Sequence, residues 1–466
     1  MPRPLQLDPA ALTLRLQAQG PLTAQEMAET AGVDRSRVSR ALTSLGAPIV
    51  RLGSTRGVRY ALRRTVRGVG DTFPVRRIDE SGRAHDWAEL TALHGGWQVA
   101  WRETAGAPAW ADDLFGLGGW SEGFPFFLGD LRPQGHLGRA IGRSLSAPLG
   151  LPIDPRDWSD DHTLVFLQAE GDDLPGNVIV GDQPFRRVQQ RRLEPVAGAI
   201  GETERAGRYP WLAEAALAPG HGGSSVEGEQ PKFLATLTTG SGLTPVLVKF
   251  TDMLSTPSGC RWADLLTAEA HAQTILREHG ESAAESRTID AGGRRFYEMI
   301  RYDRRGAHGR IGVVSLRALH DALPNASDAT LWPQAARQFL RFGLIDAAAE
   351  RSIRLRHAFG GLIGNTDMHF GNLAFFMSDA PPLRVAPTYD MLPMLWAPTA
   401  GHAAPRPRFA PVPPLPEEIP VWTEAARWAI EFWRRVAGDE AVAAEFREIA
   451  QAAGQQVQRM QQAFAG

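Results

Sequence analysis

Among 466 residues there are two lysines, Lys232 and Lys249, while the other 48 of the 50 Lys+Arg side chains are arginine. A lysine ammonium meets a phosphate oxygen as a compact point charge, which a planar guanidinium with fixed donor directions does not reproduce. The flanking residues support that use. Gly222–Lys232 is a loop of small residues leading into the strand Phe233–Leu237, and Pro245–Phe250 is a second strand with Lys249 near its end. A loop, a strand and a lysine-bearing strand, in that order, cradle a triphosphate in kinase-type folds, through backbone N–H groups and the ammonium. Downstream, Asp367 and Asn372 stand five apart between a helical segment and an apolar strand, and Asp390 follows 18 residues later. An aspartate at that spacing can orient a hydroxyl. An amide and a second carboxylate suit Mg²⁺, which takes oxygen ligands and keeps several waters. Glu269, on a helix expected from about 263 to 279, is either the clamp on Lys249 or an ordinary exposed residue. His369 reads as a structural hydrogen-bonder. The run Asp160-Asp161-His162 reads as a solvated turn before it reads as a metal site.

These residues need a frame. The length fits about three units. A hydrophobic content of 43% with 22% charged residues describes a soluble globular chain. Cys260 is the one cysteine, which excludes an internal disulfide and a four-thiolate zinc site. No apolar run has the length of a signal peptide core or a membrane span, so the expected location is cytoplasmic, without membrane contact.

Net charge is −2, but residues 1–66 hold ten arginines against Asp8, Glu26, Glu29 and Asp34, a local +6. Leu12 and Leu16 suggest a first helix. Thr23-Ala-Gln-Glu26 is a capping box opening a second, Gly32 a tight turn, and Asp34 the cap of a third over Arg35–Leu45. Two strands follow, 49–52 and 58–62, joined by a basic, glycine-containing tip. This order predicts a winged helix-turn-helix that binds DNA through Arg35, Arg37, Arg40 and Arg56. The competing reading is a dimerisation module with a solvated basic face. The domains expected are therefore a winged helix-turn-helix over 1–66 and an α+β unit over 67–204 with no chemical constellation. A kinase-like upper lobe spans 205–303 and a mainly helical lower lobe 304–466, with Trp422, Ala426, Ile430, Phe432 and Trp433 in its core. The fold class is α+β, two-lobed and protein-kinase-like.

Ser225–Lys232, Val248-Lys249, Arg301–Arg304, Asn365–Asn372 and Tyr389-Asp390 together resemble the HipA family of bacterial serine/threonine kinases, the toxin half of type II toxin–antitoxin systems. The likeness covers about 200–395 and, loosely, 85–200. It implies ATP and Mg²⁺ as cofactors, Asp367 as catalytic base, and Asn372 and Asp390 as metal ligands. Lys249 would hold the phosphates, and backbone at Ile300 and Tyr302 the adenine. Val226, Gly228, Gln230, Lys232, Glu269, Asp303 and His369 join the ATP site. The resemblance also implies autophosphorylation at Ser225, with Ser224 as the alternative, and protein substrates, a class that in this family includes aminoacyl-tRNA synthetases. The fused front end is similar to a subgroup with its own helix-turn-helix and leaves a separate antitoxin an open partner. Two other readings stand beside this one. One is a transcription regulator that senses a nucleotide without turnover. The other is a metal-dependent nuclease using Asp367, His369 and Asp390.

Overall fold

The computed structural model describes residues 8–464 except 55–56, 195, 197, 218–229, 325, 327 and 400–402, and the side chains of 136 and 137. Three short helices, Pro9–Gln19, Ala24–Ala31 and Arg35–Leu45, begin the chain. The capping box forms as expected: Thr23 Oγ1 accepts from Glu26 N–H (3.1 Å), and Thr23 N–H donates to the Glu26 carboxylate (2.6 Å). Gly32 turns the chain at φ 63°, in the left-handed region. Asp34 does occupy the N-cap of the third helix, but its side chain makes no cap hydrogen bond, which corrects the expected role. Strands Ile49–Leu52 and Arg59–Leu62 pair antiparallel, and Leu22–Thr23 adds to the outer edge of the second. Leu12, Leu16, Met27, Val38 and Leu42 close this small core.

The hairpin has a second apolar side. Val50, Leu52 and Ala61 pack against Leu93 and Trp120 of the next unit. Arg64 pairs with Asp161 (2.8 Å) and lies over the Trp97 ring, and Arg63 donates to Thr72. Two of the ten front-end arginines are thus spent on holding the front end to the body.

That body is a five-stranded antiparallel sheet in the spatial order Trp120–Ser121, Gly96–Trp101, Ala84–Leu93, Thr72–Ile78, Val178–Val180. An aromatic cluster of Trp87, Trp101, Trp110, Phe126 and Phe127 fills one side. Asp160, Asp161 and His162 form neither a loose turn nor a metal site. They are the first turn of the helix Asp160–Glu170, where His162 and Ser159 cap each other, Asp161 pairs with Arg64 and Asp160 with Arg132. Acids at a helix N-terminus are favoured by its dipole. Among the described residues no three His, Cys, Asp or Glu side chains are grouped to hold a metal ion.

A second five-stranded sheet carries the lysines: Ser286–Ala291, Arg294–Ile300, Gly242–Phe250, Lys232–Thr239 and Ile200–Gly201. Its edge strand at 200–201 lies ahead of the expected boundary at 205 and is the one parallel neighbour. The register sets Lys232 directly opposite Lys249, so the 17-residue spacing is a cross-strand pair. Helix Pro257–Glu278 backs this sheet and starts earlier than expected. Thr256 accepts from Gly259 N–H (3.0 Å), and proline suits the first helical position.

Below, helices Trp332–Arg341, Ala347–Leu362, Ile419–Gly438 and Ala444–Phe464 pack around Trp396, Phe432, Trp433 and Phe446. Trp422, Ala426, Phe432 and Trp433 are buried there and Ile430 is partly buried, as the apolar spacing predicts. A two-stranded ribbon, Val313–Ser315 with Ala374–Phe376, faces the lysine sheet's side of this lobe. No helix among the described residues is long and apolar enough to cross a membrane.

The body grips the junction of the two lobes. Asp303 accepts from Arg301 (3.0 and 2.9 Å), Arg304 (2.6 Å) and Gly176 N–H (2.9 Å), and Arg304 also donates to Asp173 and Leu174 O. Burial works to raise the Asp303 pKa, yet Arg304 and Arg301 lower it to about 2. A depressed carboxylate stabilises the fold above its unfolded pKa and loses that contribution as pH falls through the folded one. Asp303→Asn is therefore expected to cost about 3–5 kcal/mol, because two buried guanidinium groups keep only the half-exposed Asp173 as counter-charge. The gap from wild type should be full above pH 3.8 and narrow toward pH 2. Denaturant melts at pH 6, 4 and 3 measure it, and a constant or absent gap contradicts the assignment.

Candidate active site

A cavity of about 730 Å³ opens where the lysine sheet, the middle unit and the helical lobe meet. Lys232, Lys249, Tyr302, His369, Tyr389 and Asp390 all line it. Lys249 Nζ donates to both Glu269 oxygens (2.7 Å each) and to Asp390 Oδ1 (2.6 Å). Glu269 is fully buried, so the exposed-residue reading of it is overturned. Burial pulls the Lys249 pKa down, but Asp390 and Glu269 pull it further up, and the group stays charged. For Asp390, burial raises and the two lysines lower, with a net shift downward. The carboxylate is one-third exposed and reaches into the cavity, while Lys249 is 5% exposed.

Helix Ala347–Leu362 delivers the loop that holds Asp367. Asn365 organises it from within. Its Oδ1 accepts from Asp367 N–H (3.0 Å) and its Nδ2 donates to Asp390 O (3.2 Å). Asn372 Nδ2 donates to Asp367 O (2.7 Å), which ties the two ends of the loop together. His369 Nδ1 accepts from Gly371 N–H (2.9 Å) and caps the turn Phe370–Asn372, the structural part expected of it. Its Nε2 lies 3.9 Å from Asp367 Oδ1. The Asp367 side chain is 52% exposed, so a macromolecular hydroxyl can reach it. Asp390 sits at φ 51°, unusual for a non-glycine residue and typical of positions the surroundings over-determine.

The chain thus brings Lys249, Glu269, Asp367, Asn372 and Asp390 into one hydrogen-bonded neighbourhood, with Lys232 and Tyr302 on its wall. Ile300 stands apart. Its N–H is donated to Glu285 O, and Met299 and Arg301 take its place on the wall. Asp303 lines the cavity, but its oxygens are occupied by the arginines and Gly176, a structural role in place of a nucleotide contact. Gln230 donates to Phe250 O, tying the loop's end to the lysine strand. Val226, Gly228, Ser224, Ser225 and Arg56 lie outside the described residues.

Sequence reasoning missed Asp130 and Asp173, the wall residues of the middle unit, because nothing local marks them. Tyr389, read from the sequence only as the neighbour of Asp390, stacks its ring on Tyr302 at 5.9 Å and donates its hydroxyl to Gly371 O (2.7 Å). Two aromatic faces, two ammonium groups and hard oxygen donors form a donor set that fits a nucleoside triphosphate with Mg²⁺.

Known proteins share this layout. Residues 69–189 match the family described as the middle domain of YjjJ-like toxins, and residues 224–464 match the HipA-like C-terminal domain. Toxin YjjJ of Escherichia coli (strain K12) is 36% identical over 454 residues, covering 96% of this chain and 97% of that protein. A chain of the solved Shewanella oneidensis MR-1 complex of HipA, HipB and operator DNA shares the fold. Its TM-score is 0.56 at 17% identity, over 84% of this chain and 97% of that one.

Removing the ammonium tests the electrostatics directly. Burial raises the Glu269 pKa and Lys249 opposes it. Lys249→Met leaves two facing carboxylates without a counterion, at a cost of about 3–5 kcal/mol. Carboxylates with raised pKa lose stability as pH climbs, so the variant should melt closer to wild type at pH 5 than at pH 8. Equal melting shifts at both pH values would contradict this.

Proposed function

The chain belongs to the HipA-like toxin family, and we propose that it is an ATP- and Mg²⁺-dependent serine/threonine protein kinase. The observation that supports this most is the Lys249 ammonium held between Glu269 and Asp390 in the same neighbourhood as Asp367 and Asn372. ATP supplies the γ-phosphoryl group, and Mg²⁺ offsets the charge of its phosphates. Lys249, with Lys232 opposite, binds the phosphate oxygens. Glu269 fixes where that ammonium points. Asp367 would accept the proton of an acceptor hydroxyl as its oxygen bonds to the γ-phosphorus and the bond from that phosphorus to the β–γ bridging oxygen breaks, releasing ADP, while Asn372 and Asp390 would hold the metal. Tyr302 and Tyr389 stand where a base can stack. Positioning and charge carry nearly all of such a reaction.

Autophosphorylation at Ser225, or at Ser224 beside it, is the regulatory step of this reading. Roughly two added negative charges beside the phosphate site repel ATP phosphates. The acceptor in trans is a protein. Aminoacyl-tRNA synthetases are the class to try first, and an antitoxin and a cytoplasmic location belong to the same proposal.

The front end is read as a winged helix-turn-helix. Arg35 and Arg40 are exposed on the helix Arg35–Leu45 beside the half-exposed Arg37, which supports major-groove contact by that helix, and Arg56 belongs to the same reading by its place in the sequence.

Asp367→Ala should lose phosphoryl transfer by several orders of magnitude while still binding ATP. Mass spectrometry after incubation with ATP and Mg²⁺ should find phosphate on Ser225 or Ser224 in wild type and none in the variant. No phosphate in wild type, with DNA affinity that responds to ATP, would favour a nucleotide sensor. Plasmid nicking that needs Mg²⁺ but not ATP would favour a nuclease. Arg40→Ala should weaken DNA binding and reduce the salt slope by about one; an unchanged slope removes Arg40 from the interface.

A further inference from the structure

The loop from Asp367 to Asn372 is anchored at its start by Asn365, within the same lobe. Its far end is anchored differently. Leu316 N–H donates to Leu373 O (2.7 Å), and Ser315 pairs with Ala374 in the two-stranded ribbon. Ser315 therefore stands beside the residues that immediately follow Asn372. Its own position is set from outside the lobe. Ser315 N–H and Oγ donate to the two carboxylate oxygens of Asp130, each at 2.6 Å. The same hydroxyl accepts from Ala318 N–H (3.1 Å) and caps the helix Leu316–Asp321. Asp130 follows the short helix Phe126–Gly129 of the middle unit and lines the nucleotide cavity.

We infer that Asp130 is a positioning residue for the metal-binding end of the site, acting through Ser315 on the ribbon that fixes Asn372. The middle unit then completes the active centre of the lobes. A carboxylate taking two donors from one residue defines both the distance and the rotation of that residue, which a single bond does not. The hydrogen-bonded supports behind metal ligands typically alter metal affinity by about 10- to 100-fold when removed. The inference rests on the kinase reading above and deepens it.

The experiment reads binding, with the full chain and a fluorescent N-methylanthraniloyl-ATP as the probe. Its dissociation constant is measured in EDTA and along a Mg²⁺ titration. Each variant is compared with its own EDTA value, and Asp130→Ala should raise the Mg²⁺ concentration needed for half of the metal-dependent tightening by about tenfold. Asp130→Asn, which keeps one acceptor oxygen, should recover part of that loss. Ser315→Ala, made in the other unit, should shift the Mg²⁺ response in the same direction and carries the test if Asp130→Ala does not fold. A wild-type Mg²⁺ response in folded Asp130→Ala or Ser315→Ala overturns this inference alone. A wild-type protein that binds the probe identically with and without Mg²⁺ overturns the kinase reading, and this inference with it.

Discussion

One ammonium group organises the cleft. Lys249 is almost wholly removed from water, and a buried cation is tolerated only with close, well-aligned opposite charge. Glu269 and Asp390 supply it from two other parts of the chain, a helix behind the sheet and the segment after the lower lobe's ribbon. The three groups can meet only if sheet, helix and lobe hold their relative places. The charge triad therefore specifies the arrangement of lobes as much as it stabilises it. It also carries an imbalance, two carboxylates to one ammonium, with Lys232 across the strand pair lowering the Asp390 pKa from further away. Such a centre suits a ligand that brings its own mixture of charges.

The middle unit reads from its sequence as chemically bland, and as a list of residue types it is. Its importance is in attachment. Asp173 and Gly176 hold the junction through Arg304 and Asp303, while Asp130 reaches the lower lobe's ribbon. These contacts touch the cavity from two directions. Residues 69–189 match a domain family of their own, yet the unit's apolar core runs on into that of the helical lobe, and the two share a wall of the cavity.

What could be read from the chain in advance followed a physical rule. Elements with local signals were legible. The Thr23–Glu26 box, the helix Arg35–Leu45 and the apolar stripe of Ile419–Gly438 write their periodicity and caps into neighbouring residues. That Asp367, Asn372 and Asp390 lie near one another was legible from their spacing, and the bonds of Asn365 and Asn372 join them. Glu269 was ambiguous, since nothing beside it tells which face of a helix buried on nearly every side meets a lysine 20 residues away. At the junction, Arg301, Arg304 and Gly176 bond the Asp303 carboxylate and the Ile300 N–H is donated to Glu285 O, partners that the sequence does not mark. Asp130 went unseen, and Tyr389 was marked without its role, because their partners, Ser315 and Gly371, are fixed by tertiary packing. The helix expected from about 263 in fact begins at Pro257. Proline and glycine break helices in the interior, whereas at a first turn capped by Thr256 they begin one.

The hairpin of the front end deserves a mechanical reading. Its back face is glued to the body by Val50, Leu52, Ala61, Leu93 and Trp120, with Arg64 bolted to Asp161 beside them. A front end on a loose linker would sample many headings, whereas this packing fixes one relative to the cavity. On the DNA-binding reading proposed above, a duplex lying along the helix Arg35–Leu45 would inherit that bearing.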